Sequence, residues 1–133
     1  MKRRDFLAGS AAILVAGPAL AKPYVPGPVG QELAAGKTVF LYFKASWCTT
    51  CAAQERVINA LKAENPAYEQ AISFSEVDWD EYGRSDLATS LNIPRRSTLV
   101  VLKGNRELGR IVAGTGRAQI KALMDTALAA ATA

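Results

Sequence analysis

Thr38-Val39-Phe40-Leu41-Tyr42-Phe43 is an unbroken β-branched, apolar and aromatic run, and a short loop, Lys44-Ala45-Ser46-Trp47, leads from it into Cys48-Thr49-Thr50-Cys51. A continuous run, as opposed to an alternating one, fits a strand buried on both faces, which places it centrally in a sheet. After Trp47 the period changes. Ala53, Val57, Ile58 and Leu61 share one helical face and Glu55, Arg56, Asn59 and Lys62 the other, until Asn65-Pro66 stops the helix. Two cysteines thus open a helix beside a central strand, which commits the chain to an α/β architecture.

The remaining pattern extends that architecture. Ile72 to Asp78 predicts a second strand, Asp86 to Leu91 a short helix and Thr98 to Leu102 a third strand. Lys103-Gly104-Asn105 is a tight turn into a hairpin partner over Glu107 to Val112. Thr115 is placed to cap a last helix whose Ile120, Leu123, Met124, Ala127 and Leu128 follow helical spacing. The order β-α-β-α-β-β-α predicts parallel pairing of the helix-linked strands and an antiparallel closing hairpin, in a mixed sheet with helices on both faces.

The chain has 133 residues, half of them hydrophobic, enough for one domain and its core. Residues 37–133 are assigned to that domain. Residues 22–36, with Pro23, Pro26, Pro28, Gly27, Gly30 and Gly36, are expected as an extended leader or short helix. Residues 1–21 have the form of an export signal: Lys2, Arg3 and Arg4, then an apolar stretch from Phe6 to Ala21 ending in the small-x-small Ala19-Leu20-Ala21. The paired arginines resemble a twin-arginine signal, so the periplasm is the expected location. Lys2, Arg3, Arg4 and Asp5 carry a net +2 of the formal +4, leaving about +2 for the rest. Basic residues are spread along the chain, with no aromatic-interleaved run, so no nucleic-acid partner is expected.

Histidine is absent, which excludes Ser-His-Asp and Cys-His catalysis and imidazole metal sites. The usable chemistry falls to the two cysteines. At i and i+3 across the first turn of a helix they are close enough to bridge, and the helix N-terminus supplies unpaired N–H donors that stabilise a thiolate. Cys48, the more exposed, is the expected nucleophile on a substrate disulfide, and Cys51 the thiol that resolves the mixed disulfide. A purely structural Cys48–Cys51 disulfide closes too small a loop to contribute much stability. A second reading uses the same thiols for copper or an iron-sulfur cluster shared between chains, or treats the domain as a protein-binding module without redox turnover.

The stretch from Val39 to Cys51, ending in Trp47-Cys48-Thr49-Thr50-Cys51, is similar to the strand and W-C-x-x-C signature of the thioredoxin superfamily. Leu91 to Asn105 resembles the strand-turn-strand beyond that family's active site, and the resemblance runs from about Lys37 to Leu128. It implies a three-layer fold with a central mixed sheet, thiol-disulfide exchange with protein substrates, no organic cofactor, a monomer, and a membrane or periplasmic redox partner, with reduction favoured over oxidation. Trp47, Arg96 and Ser97 fall where the family's substrate groove lies. Ser97 aligns with the position usually held by a cis-proline, and a cis bond before serine costs about 3 kcal/mol, so a trans bond is expected. Thr49-Thr50 replaces the family's usual Gly-Pro, and Tyr42 takes the place of a buried acid. Glu76 shares strand parity with Ile72 and Phe74 and is the candidate proton acceptor on an apolar side. Trp79 is expected in the core, and Asp78 and Asp80 as solvated loop acids.

Overall fold

The strand run does form the centre of a sheet, and its two faces explain why it is apolar throughout. The computed structural model describes residues 21–133, so the export-signal assignment lies, apart from Ala21, outside the described residues. In chain order the elements are β1 (Lys22–Pro23), α1 (Pro28–Ala34), β2 (Thr38–Lys44), α2 (Thr49–Glu64), α3 (Ala67–Ala71), β3 (Ser73–Asp78), α4 (Trp79–Tyr82), α5 (Asp86–Ser90), β4 (Thr98–Lys103), β5 (Arg106–Val112) and α6 (Arg117–Ala131). The sheet order is β1-β3-β2-β4-β5. β3 runs parallel to β2 and β1, whereas β4 is antiparallel to both β2 and β5, the mixed sheet the pattern predicts.

Alternation along β2 splits its side chains between two cores. Phe40 and Tyr42 face Ile58 and Leu61 of α2, Tyr68 of α3 and Ile120, Leu123 and Met124 of α6. Val39, Leu41 and Phe43 face Val29 of α1 and Ala88 of α5. The layers are therefore helix, sheet, helix. Gly104, first of the two residues joining β4 to β5, has φ 61, a left-handed backbone that glycine adopts without a Cβ clash.

The segment 22–36 carries a short helix, α1, as expected, together with a short edge strand in which Lys22 lies opposite Ser75. Two local expectations change. Thr115 does not cap α6; Gly116 holds that position with no side-chain bond. Lys62, predicted on the polar face of α2, is buried, its ammonium 4.0 Å from the Phe74 ring centroid and 3.8 Å from Glu69 Oε2. A long apolar stem explains this: lysine can cover hydrophobic surface while its head finds a π-face and a carboxylate.

Candidate functional site

β2 delivers the chain to the site and α2 carries it away. Beyond Lys44 a turn closes with Cys48 N–H donating to Ala45 C=O at 3.1 Å, and Cys48 becomes the N-cap of α2 in an extended backbone conformation. A cap side chain accepts from the first free backbone N–H groups. Here the acceptor is sulfur: Cys51 N–H donates to Cys48 Sγ at 3.1 Å. Both cysteines are free thiols, 6% and 2% exposed, so Cys48 is the more accessible, as expected.

Ser97 meets them from the other side. Its backbone has φ 64, and among the described residues there is no cis peptide bond, so the bond before Ser97 is trans, as its sequence predicts. Its N–H donates to Phe43 C=O at 2.7 Å, and its own C=O accepts from Ala113 N–H at 2.8 Å and from Gln54 Nε2 at 2.9 Å. Its hydroxyl oxygen lies 3.2 Å from Cys48 Sγ and 3.1 Å from Cys51 Sγ. Ser97, expected beside the groove, thus has 0% exposure and lies against both sulfurs.

The electrostatics separate the two thiols. Burial opposes ionisation of Cys48, but the adjacent Cys51 thiol, the Ser97 hydroxyl, the Cys51 backbone N–H and the nearby Arg96 guanidinium outweigh it and bring its pKa down to about 7. Burial and the neighbouring Cys48 push Cys51 up. The outer sulfur is the one that ionises first.

Trp47 forms the exposed lip of the site, 57% accessible, with the Arg96 guanidinium 4.5 Å from its ring centroid and its indole N–H donating to Asp80 at 2.9 Å. Trp47 and Arg96 therefore do sit beside Cys48. Glu76 does not join them directly. It lies on the predicted face, opposite Tyr42, but its carboxylate accepts from Lys44 Nζ at 2.9 Å, while Glu55 of α2 accepts from the same ammonium at 2.8 Å. The expected apolar surround is thus an ion pair, because β2 ends in a lysine on the same face. Tyr42 is buried beneath it, its phenol pushed far up by burial and by Glu76 and Glu55.

Four residues join the site in roles that the sequence pattern does not single out. Gln54 donates to both Ser97 C=O and Gly114 C=O at 2.9 Å, tying α2 to the strands' far ends. Its spacing of four and seven from Ile58 and Leu61 is the signal that places it on the buried face. Trp79, expected in the core, also packs on Ala45, Cys48 and Cys51, because parallel pairing brings the ends of β2 and β3 together. Asp78, an expected loop acid, caps α4 by accepting from Asp80 N–H, and Asp80 holds Trp47.

The thioredoxin family profile matches residues 30–126. Thioredoxin H5 of Oryza sativa subsp. japonica is 34% identical over 79 residues, which is 59% of this chain and 54% of that one. The mitochondrial thioredoxin O1 of Arabidopsis thaliana is 34% identical over 84 residues, 63% of this chain and 41% of that one. The chain spans about half the length of the curated relatives it matches. Among solved structures, Trxlp of Edwardsiella tarda EIB202 has a TM-score of 0.65 at 26% identity, covering 80% of this chain and 96% of its own. Oxidised thioredoxin O2 of Arabidopsis thaliana has a TM-score of 0.58 at 28% identity, with 73% and 82% covered.

Proposed function

The chain belongs to the thioredoxin family, and from that premise we propose that it exchanges disulfides with protein substrates as a periplasmic reductant. The observation that carries the reading is the division of labour between the sulfurs: an N-cap thiol whose pKa is brought to about 7, backed by one held protonated. Cys48 thiolate attacks a substrate sulfur, the substrate's other sulfur leaves as a thiolate and takes up a proton, and a mixed disulfide remains. Cys51 then displaces the second substrate sulfur from Cys48, leaving Cys48 and Cys51 as a disulfide. A redox partner returns the pair to dithiol.

The same thiol supports the proposed direction. A strongly acidic thiolate, near about 3.5 in a potent disulfide-introducing enzyme, stabilises the reduced form and makes an oxidant, whereas a value near about 7 suits a reductant. The attacking thiol is also fastest when its pKa lies near ambient pH. The compartment rests on the N-terminal pattern, Lys2-Arg3-Arg4 followed by the apolar stretch to Ala21. A membrane or periplasmic partner supplying electrons to a monomer completes the proposal.

Thiol trapping in graded glutathione or dithiothreitol buffers tests it. A potential near about −270 mV is expected; one near about −120 mV reverses the direction, and a pair that never cycles sinks the reading.

A further inference from the structure

We propose that the Ser97 hydroxyl governs which sulfur is the nucleophile, donating its hydrogen to Cys48 while Cys51 keeps its proton, then turning to Cys51 for the second displacement. This rests on the exchange reading above and gives it a residue that the family's usual proline could not supply. The geometry starts the case: one oxygen stands 3.2 Å from Cys48 Sγ and 3.1 Å from Cys51 Sγ. A hydroxyl has a single hydrogen and two lone pairs, so it can donate to only one sulfur at a time and is free to accept from the other. Cys48 already takes the Cys51 N–H, so negative charge is best placed there and the remaining proton on Cys51.

The backbone says that the side chain is needed. Ser97 sits at φ 64, a left-handed conformation that glycine takes freely and other residues seldom adopt. It is held there by its N–H on Phe43 and by Ala113 and Gln54 on its carbonyl, which fixes its Cβ beside the sulfurs. Beyond a methylene group, serine adds only the hydroxyl to what glycine would provide, and the partners of that hydroxyl are the two thiols. The charged or titratable groups facing Cys48 are Cys51 on its helix and Arg96 from the loop before β4; Trp79, packed on the pair from α4, carries no charge.

The sequence of steps balances. Cys48 thiolate bonds a substrate sulfur, and the substrate's other sulfur leaves with the electron pair. That thiolate takes the Cys51 proton, and the hydroxyl, no longer facing a charge on Cys48, rotates its hydrogen onto the new Cys51 thiolate. Cys51 bonds Cys48, the second substrate sulfur leaves as a thiolate, and water protonates it. One hydrogen serves each nucleophile in turn.

The test is the pH dependence of Cys48 in the reduced protein, read by ultraviolet thiolate absorbance and by alkylation rate, in Ser97→Gly and Ser97→Ala. Glycine keeps the left-handed backbone and alanine keeps the Cβ, so if one variant fails to fold the other decides. The midpoint is expected to rise by about one pH unit, with alkylation near neutrality slowed about fivefold. A midpoint that stays put in a folded variant overturns the inference. The titration needs no substrate, so a lost shift with intact turnover defeats this role alone, and a clear shift in a protein that never reduces disulfides defeats the exchange reading alone.

Discussion

Two groups of titratable side chains adjoin the carboxyl end of β2, and they hold charge in opposite ways. Lys44 grips Glu55 at 2.8 Å and Glu76 at 2.9 Å, with all three side chains roughly a quarter to a third exposed. Cys48 and Cys51 are buried, and the charge that forms there is met by neighbouring dipoles, the Cys51 thiol, the Ser97 hydroxyl and the Cys51 N–H, with Arg96 beside them. In the first group water screens each charge and would solvate any partner left behind, so the ion pairs add little to stability. In the second, little water is present to replace a lost donor, so small displacements change which sulfur ionises. Reactivity belongs to the drier group for that reason.

The largest effect is expected from loosening the dry group without touching a sulfur. Gln54→Leu leaves Gly114 C=O without its donor and Ser97 C=O with Ala113 alone. Stability measured by urea denaturation is expected to fall by about 1–3 kcal/mol, the usual penalty for a buried polar group left unpaired. Alkylation of Cys48 at neutral pH is expected to slow as Ser97 gains freedom. Unchanged stability and reactivity would show that the Ser97 loop is held by its strand neighbours alone.

Much of this contrast is legible in the sequence, and the illegible part has a physical pattern. The run from Thr38 to Phe43 announces a two-faced central strand, and Cys48 at the opening of α2 announces the reactive end, because both depend on local period and helix termini. Glu76 is placed on the correct face by parity, yet its neighbour Lys44 is recognised only when β2 and β3 pair in register. Gln54 reads as an ordinary polar residue of an amphipathic helix, and its role appears only when the chain returns with Ser97 and Gly114, 43 and 60 residues on. Ser97 aligns with a proline by position, but its left-handed backbone and its approach to both sulfurs are tertiary facts.

An intermediate effect is expected in the pH dependence of stability, which separates the two thiols. Cys48 has a folded pKa of about 7, below its ordinary value of 9.0, so its contribution is fully present above 9 and is lost as pH falls through 7. Cys51 is raised, so its contribution is present below the same ordinary value and is lost as pH rises through its folded one. Reduced protein is therefore expected to gain stability from about pH 7 to about pH 9 and to lose it above, relative to the oxidised protein, in which neither thiol titrates. Denaturant midpoints of both forms across this range check it. A difference that stays flat from pH 7 to pH 9 and falls only above would mean that Cys51, and not Cys48, dominates the linkage.

The smallest effect belongs to the wet group, and it is the sharpest check on the comparison. Glu76→Gln removes one of the two carboxylates on Lys44 but leaves Glu55 in place, and the freed amide stays partly solvated. The expected loss is about 0.5 kcal/mol or less, shrinking further in high salt as the remaining pair is screened. The alkylation midpoint of Cys48 is expected to stay where it is, because the groups that set it are Cys51, Ser97 and Arg96, not Glu76. Should Glu76→Gln move that midpoint as far as the Ser97 variants do, the two groups would form one proton network. Glu76 would then be the acceptor that its strand parity first suggests, reaching the sulfurs through a path longer than any single hydrogen bond.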